Sequence, residues 1–510
     1  MAYETVTGYC WPQSAAPGET VALHLSSAGG RPVAVEVARV GAEREVVLED
    51  RAVDAGDHPL PADASRAGCG WPVARTVDVD PGWRSGYYEV VLEIDVDGRR
   101  RTSHAFFVVR PAPDRPPAPI LLALATNTWH AYNDVGGTNL YNGGTTVSLQ
   151  RPMGRGYLHK PPGVGRRVTV VHAPDRRMAA HVGYLTLNHL SPWAGSAGWP
   201  DWEHPFLAWA EREGYAVDVV TNADLEDHPS LLGDPAGGRR LFLSVGHDEY
   251  WSGPMRDTVE DFIGRGGNAA FLSGNTAFWQ VRLEDRTAEG PAASMVGYKA
   301  AFKRDPVFDT DRVAELTSIW SDHLIGRPEN HMTGVSFSRG GYHRIGKVVA
   351  SGAGGYTVHR PDHWLFEGSE VTYGDLLGAE ATVVGYECDG CAFTYRDGLP
   401  YPTGEDGTPS TFEILGTAPA AHFTRTTAMR PPAPHEPSEL EFIASRLFGT
   451  REAEDRRRIE HGHAVLGSYT SAAGGTVVTS GSTDWAHGLA ARDPRIERIT
   501  HNLLDRLGSA

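Results

Sequence analysis

The sequence predicts an α/β protein, a parallel sheet flanked by helices and preceded by a small all-β domain. Three observations predict it. Residues 1–112 fall into short runs of alternating apolar and polar side chains, separated by turn signals. Residues 110–119, RPAPDRPPAP, are dense in proline. From residue 120 onward, continuous apolar runs interleave with helical periodicity.

The alternating runs are TVALHLSS, VAVEVARVG, REVVLED, YYEVVLEIDVDG and HAFFVVRP. Period-two alternation buries one face of each strand, and about 100 residues of it suits an immunoglobulin-like sandwich. We therefore assign 1–112 to that sandwich, 113–119 to a semi-rigid linker, and 120–510 to the α/β domain.

ILLALAT (120–126) opens the second region as a strand buried on both faces. HPFLAWAEREG (204–214) has helical spacing, YAVDVVT (215–221) follows as a strand, and GRRLFLSVG (238–246) is another. SGPMRDTVEDFIGRGG (252–267) reads as a helix that Ser252 caps and glycines stop. NAAFLSGN (268–275) is the next strand. Strand, helix, strand with short joins makes a parallel sheet. Beyond residue 300, GKVVASG and ATVVGYE read as short strands, and RPPAPHEP (430–437) as a second flexible stretch. TVVTSGSTDWAHGLA and RIERITHNLLDRLG read as a last strand, a loop and a closing helix.

The chain has 510 residues and a formal net charge of −17, from 47 basic and 64 acidic side chains. That balance opposes a nucleic-acid or anionic-membrane partner and favours a neutral or cationic small molecule. No signal peptide or apolar span is visible, and four cysteines make no disulfide scaffold, so the expected location is cytoplasmic.

Open parallel sheets bind ligands beyond the carboxyl ends of their strands. Three loops follow such ends: NTWHAYNDVGGTNLY after 120–126, HDEYWS after 240–246, and SGNTAFWQ after 268–272. They gather His130, Tyr132, Asn133, Tyr141, His247, Asp248, Glu249, Tyr250 and Asn275 on one edge. Strand ends often carry polar residues only because they reach solvent, but three clusters on one edge favour a site.

There is no G-x-S-x-G, no HExxH and no Walker loop, and no cysteine follows the central strands. The lone Cys388-Asp389-Gly390-Cys391 is weak evidence for zinc. Cys10 and Cys69, in YCWP and CGWP, could be neighbours, and His461 with His463 could be ligands, though buried thiols and a surface turn are the plainer readings. Carboxylate, imidazole and phenol remain. Two phenolates with one carboxylate suit a hard trivalent ion.

At these residues the chain resembles the large (beta) subunit of N,N-dimethylformamidase. The likeness runs through TWHAYNDVGGTNLY, SVGHDEYWS, RGGNAAFLSGNTAFWQ, GYECDG, GSTDWAHGL and ITHNLLDRL, and the opening GYCWPQSAAPGETVALHLS resembles the family's preceding β domain. The resemblance implies a glutamine-amidotransferase-like fold without its cysteine, and a mononuclear iron, Fe(III), that serves amide hydrolysis. By motif it implies Tyr132, Tyr141 and Glu249 as metal ligands, and His247, Asn275 and Glu387 as the remaining catalytic groups. Tyr132 and Tyr141 stand closer in sequence than the family's tyrosines, so Tyr250 is an alternative to Tyr132.

The expected function is hydrolysis of the C–N bond of a small amide. Glu387 or His247 would move the proton, and Asn275 would orient substrate or an oxyanion. Trp129, Trp251, Phe278 and Trp279 would wall the pocket or pack the core, and Trp485 carries the same two readings. A homo-oligomer or an accessory small subunit would be a possible partner. Two rival readings are a non-catalytic carbohydrate- or ligand-binding protein and a glycosidase that pairs Glu249 with Glu387.

Overall fold

The computed structural model describes residues 5–509, except 161–184, 186, 288–289, 346, 429–431 and 451. The first two residues of the 430–437 stretch therefore lie outside the described residues.

Two sheets form from the N-terminal runs. Val6–Trp11, Thr20–Ser27 and Val73–Asp78 make a three-stranded sheet. Ser14–Ala15, Arg99–Val109, Gly86–Val96, Val33–Val40 and Arg44–Val53 make a five-stranded one. Alternation decides what each side chain meets. Tyr88, Val90, Leu92, Ala105 and Phe107 face a core drawn wholly from this N-terminal part. Tyr87, Phe106 and Val108 point the other way and join the large core that holds Trp129 and Trp199. The Tyr87 and Trp199 rings stack with centroids 4.1 Å apart. The N-terminal sheets are thus fixed to the rest of the chain by apolar side chains on the outer face of one ribbon.

The large sheet begins as the sequence predicts. Val217–Thr221, Ile120–Leu124, Leu241–His247, Asn268–Gly274 and Thr476–Thr479 lie side by side in that order, all parallel. Beyond Thr476–Thr479 the sheet turns antiparallel, through His461–Thr470 and Glu413–Ala421 to Ser336–Tyr342 and Glu387–Gly390. The expected all-parallel sheet is therefore only half of the structure. The antiparallel half was hidden because its strands come from a region rich in glycine, proline and turns. GKVVASG and ATVVGYE are read as strands, but residues 347–352 and 381–386 form turns and irregular loop, Gly346 lies outside the described residues, and Glu387 opens a strand.

Helices Glu203–Arg212, Gly253–Gly264 and Pro494–Gly508 flank the sheet. The Ser252 hydroxyl accepts from the Met255 N–H and caps the second of these. The expected loop after Thr476–Thr479 contains a short helix, Trp485–Ala490. Among the described residues no helix is long and apolar enough to cross a membrane.

One buried acid reports on this packing. Glu329 is fully buried, takes a hydrogen bond from Ser321, and leaves Oε1 without a partner among the described residues. Burial pushes its carboxyl up to about 8. A raised folded value means that the native state keeps a proton that the unfolded chain loses, so Glu329 costs stability as pH rises from about 4.5 to 8. Glu329→Gln is expected to raise the melting temperature at pH 8 and to leave it near wild type at pH 4.5. Equal effects at both pH values, read by thermal unfolding, would refute this.

Candidate active site

Loops after three neighbouring parallel strands converge on Glu249. The Leu241–His247 strand ends at His247, and Glu249 follows, almost fully buried. Its backbone N–H donates to Thr128 Oγ1 at 3.0 Å, which ties it to the loop after Ile120–Leu124. Its carbonyl accepts from the Trp279 N–H at 2.9 Å, which ties it to the loop after Asn268–Gly274.

The carboxylate takes three close polar neighbours. The Tyr141 hydroxyl donates to Oε1 at 2.5 Å, and Trp279 Nε1 donates to the same oxygen at 2.7 Å. Oε2 has no hydrogen bond among the described residues, although His247 Nε2 lies 3.3 Å away. Tyr132 donates in turn to the Tyr141 hydroxyl at 2.8 Å. Burial, and then the Glu249 charge, hold both phenols well above their ordinary value, so their protons stay on and form this chain of donors. A multivalent cation would reverse that preference, because the phenolate is the form that binds metal.

His247 joins the second carboxylate. Its Nε2 is 2.6 Å from Glu387 Oε2, and its Nδ1 is 2.6 Å from the Ser196 carbonyl. Burial opposes its charge, but Glu387 and Glu249 outweigh burial and hold the imidazole well above its ordinary range. One imidazole nitrogen thus bridges the two carboxylates. Asn275 Nδ2 donates to Glu387 Oε2 at 3.2 Å, and its Oδ1 has no partner among the described residues.

Tyr132, Tyr141, Glu249, Asn275 and Glu387 line one cavity of about 200 Å³, with Phe278, Trp279, Phe337 and Phe442 as apolar wall. The fold thus brings the sequence-predicted residues together, with His247 packed behind the two carboxylates. Tyr250 is not part of the lining; its hydroxyl accepts from Lys299 Nζ at 2.7 Å. Between the two candidate tyrosines, Tyr132 is therefore the one on the cavity.

Other candidates point elsewhere. His130 Nε2 sits 2.9 Å from Gln13 Oε1, facing the N-terminal sheets. Asn133 donates to the Pro152 carbonyl. Asp248 accepts from Ser244 and Asn222. Trp129, Trp251 and Trp485 are core residues, whereas Phe278 and Trp279 line the cavity. Cys10 and Cys69 belong to different apolar clusters, and all four thiols are buried and free. His463 packs its ring against Phe393. In CDGC the working residue is the acid: Asp389 accepts from the backbone N–H groups of Asn275 and Thr276 at 2.7 and 3.0 Å.

Lys299 was not legible in the sequence. It is buried with Nζ 3.2 Å from the Tyr141 ring centroid, and burial pushes its ammonium down to about 7 against the pull of Glu249 and Glu387. Its only sequence signal was a lysine set between apolar residues in GYKAAF. Tyr342 and Glu439 also line the cavity, and the Tyr342 hydroxyl donates to Glu439 at 2.9 Å. Asn275, Ala277 and Lys299 all hold positive φ, between 51° and 54°. Non-glycine residues keep such φ only where the surroundings over-determine them, and they cluster at functional sites.

Oxygen donors from an α/β sheet edge, aligned on one small cavity, make this a candidate catalytic centre. Residues 34–499 match the family described as N,N-dimethylformamidase beta subunit-like, C-terminal, and the chain belongs to that family. A curated relative, the N,N-dimethylformamidase beta subunit of Alcaligenes sp, is 24% identical over 330 residues, covering 58% of this chain and 42% of that protein. The match thus spans less than half the length of that relative. Among solved structures, a family 123 glycoside hydrolase from Clostridium perfringens overlaps 23% of this chain and 27% of its own at 10% identity, with a TM-score of 0.12. A likeness of that size carries no argument.

Gly246 shows how tightly this edge is built. It has φ +85°, and a Cβ there would lie 2.4 Å from the Trp202 Cβ. Gly246→Ala is expected to cost roughly 2–5 kcal/mol through overpacking and left-handed strain, measured by denaturant unfolding. A cost near zero would refute the close approach.

Proposed function

We propose that this chain carries the active site of an iron-dependent hydrolase that cleaves the C–N bond of a small amide, as the relative's name implies for that protein. The observation that carries the reading is the alignment of Tyr132, Tyr141 and Glu249 oxygens on one cavity beside the His247–Glu387 pair. The donor set fits such an ion. It offers two phenols and a carboxylate, and Glu249 Oε2 has no hydrogen bond among the described residues. Two phenolates and a carboxylate neutralise a trivalent, oxygen-seeking ion, so Fe(III) would be held by these three residues. Bound there, iron would supply Lewis-acid polarisation of the amide carbonyl and would acidify bound water.

The chain's own residues supply the rest. Glu387 accepts the proton from water and returns it to the leaving amine. His247 holds its proton at Nε2 against Glu387, and its Nδ1–H is anchored on the Ser196 carbonyl, so its charge and orientation are set. Asn275 orients Glu387 and offers an amide to the substrate or to its oxyanion. The aromatic wall makes much of the cavity apolar, and a volume of about 200 Å³ suits a small amide. Dimethylformamide is the first candidate substrate. The same reading extends to the finer folds, a glutamine-amidotransferase-like sheet behind an immunoglobulin-like sandwich, with domains at 1–112, 113–119 and 120–510. It also includes a cytoplasmic setting and assembly with further copies or a small accessory subunit. The relative's designation as a subunit supports the last point.

Protein purified without a metal-affinity tag is expected to carry about one iron per chain with a phenolate-to-iron visible band. Tyr132→Phe and Tyr141→Phe should lose the band, and Tyr250→Phe should keep it. Glu387→Gln should keep the iron but lower kcat/KM on small amides by roughly 10²–10⁴-fold. Absence of iron after reconstitution, or full activity in Glu387→Gln, would overturn the reading.

A further inference from the structure

A second cluster of donors lies away from this cavity, where the outer face of the N-terminal ribbon meets the segment before residue 161. Glu89 and His104 stand on neighbouring strands, Gly86–Val96 and Arg99–Val109. Glu89 pairs directly with Phe106, so His104 is its diagonal neighbour on the same face as Tyr87 and Phe106. His159 reaches this face from the other side of the junction. One donor atom from each of the three lies within 4.8 Å of the other two.

The distances are wrong for hydrogen bonds and near those of a shared ion. Glu89 Oε1 is 3.7 Å from His104 Nε2 and 3.8 Å from His159 Nδ1. A hydrogen bond would bring these atoms below about 3.2 Å. Ligands around a tetrahedral zinc, with bonds of about 2.0–2.2 Å, stand roughly 3.3–3.5 Å apart. A shift of a few tenths of an ångström would bring each histidine to that distance from Glu89. The imidazoles stack at 4.5 Å between centroids, so ligation requires them to splay. His159, with a side chain 51% exposed, has the freedom to do so.

Two arginines stand nearby, yet the donor atoms of the cluster stay facing one another. Arg44 Nε pairs with Glu89 Oε2 at 3.2 Å, which leaves Oε1 facing the histidines. The Arg44 charge is itself shared with Glu36 at 2.5 Å. Burial, with the His159, Arg155 and Arg44 charges, pushes His104 down to about 4, so its ring is neutral near pH 7, the form that ligates.

We propose that Glu89, His104 and His159 form a divalent transition-metal site, with zinc(II) the ion that fits best, clamping the N-terminal sheets to the segment under the active site. Two imidazoles and a carboxylate are a zinc donor set, and the exposed side of His159 leaves a fourth position to water. The clamp has a structural target. Tyr157, two residues before His159, donates its hydroxyl to the Tyr132 carbonyl at 2.7 Å. The site would be stabilising, not a second seat of amide hydrolysis.

The test uses the full chain, purified without a tag, stripped by chelation, loaded with Zn²⁺ and freed of excess ion. Zinc is counted by elemental analysis, and the melting temperature is recorded with and without Zn²⁺. Wild type and Tyr141→Phe are expected to hold about one zinc and to melt higher when loaded. His104→Ala and His159→Ala are expected to hold none and to show no zinc-dependent rise. If His104→Ala fails to fold, the half-exposed His159→Ala carries the test alone. Zinc retained by His159→Ala, zinc lost in Tyr141→Phe, or none bound by wild type would each overturn the proposal.

Discussion

A carboxylate removed from water must be paired, and Glu249 is the carboxylate on which this molecule depends. An unpaired buried charge would cost several kcal/mol. The chain answers with hydrogen bonds from two other segments, the Tyr141 hydroxyl and the Trp279 indole, and with the His247 imidazole as an ion-pair neighbour. The backbone on either side of its carboxyl is tied to Thr128 and Trp279. The pairing is also incomplete, since Oε2 keeps no hydrogen bond among the described residues. The carboxylate therefore combines rigid placement with unspent acceptor capacity.

The rest of the structure reads as support for that placement. Parallel strands deliver His247 and Asn275 to one edge, and glycines at 246 and 274 let the backbone approach Trp202, Thr483 and Glu387 where a Cβ would collide. The antiparallel half contributes Glu387 and Asp389 from one short strand, the first to the imidazole and the second to the Asn275 loop. The N-terminal sheets lie behind the first loop through Tyr87, Phe106 and the Gln13–His130 contact. Aromatic stacking there adds roughly 0.5–1.5 kcal/mol per pair beyond burial. Lys299, packed on the Tyr141 ring, fixes the remaining side of the phenol pair.

Much of this was legible in the sequence, and the reason is local. Continuous apolar runs ending in polar clusters identify buried strands whose carboxyl ends carry chemistry, which is why Tyr132, Tyr141, His247, Glu249 and Asn275 stood out together. Glu387 came through the family motif rather than through periodicity, because its strand is only four residues long and sits among turns. Lys299 and Glu439 gave almost no signal. A lysine in an apolar setting and an acid at a helix start are ordinary features, and only packing shows that these two meet a cavity. CDGC drew attention to its thiols, whereas its acid holds the loop.

The sequence by itself determined the alternation of the N-terminal strands, the parallel core from residue 120 to 274, the Ser252 cap and the polar loops at the strand ends. These follow from periodicity and capping, which act over a few residues. Tertiary structure decided that the sheet continues antiparallel, that Tyr132 faces the cavity while Tyr250 is turned to Lys299, and that His130 faces Gln13. It also decided that Glu89, His104 and His159 meet at all. Those outcomes depend on which distant elements pack together, and no pattern confined to neighbouring residues encodes the direction of a side chain across a fold.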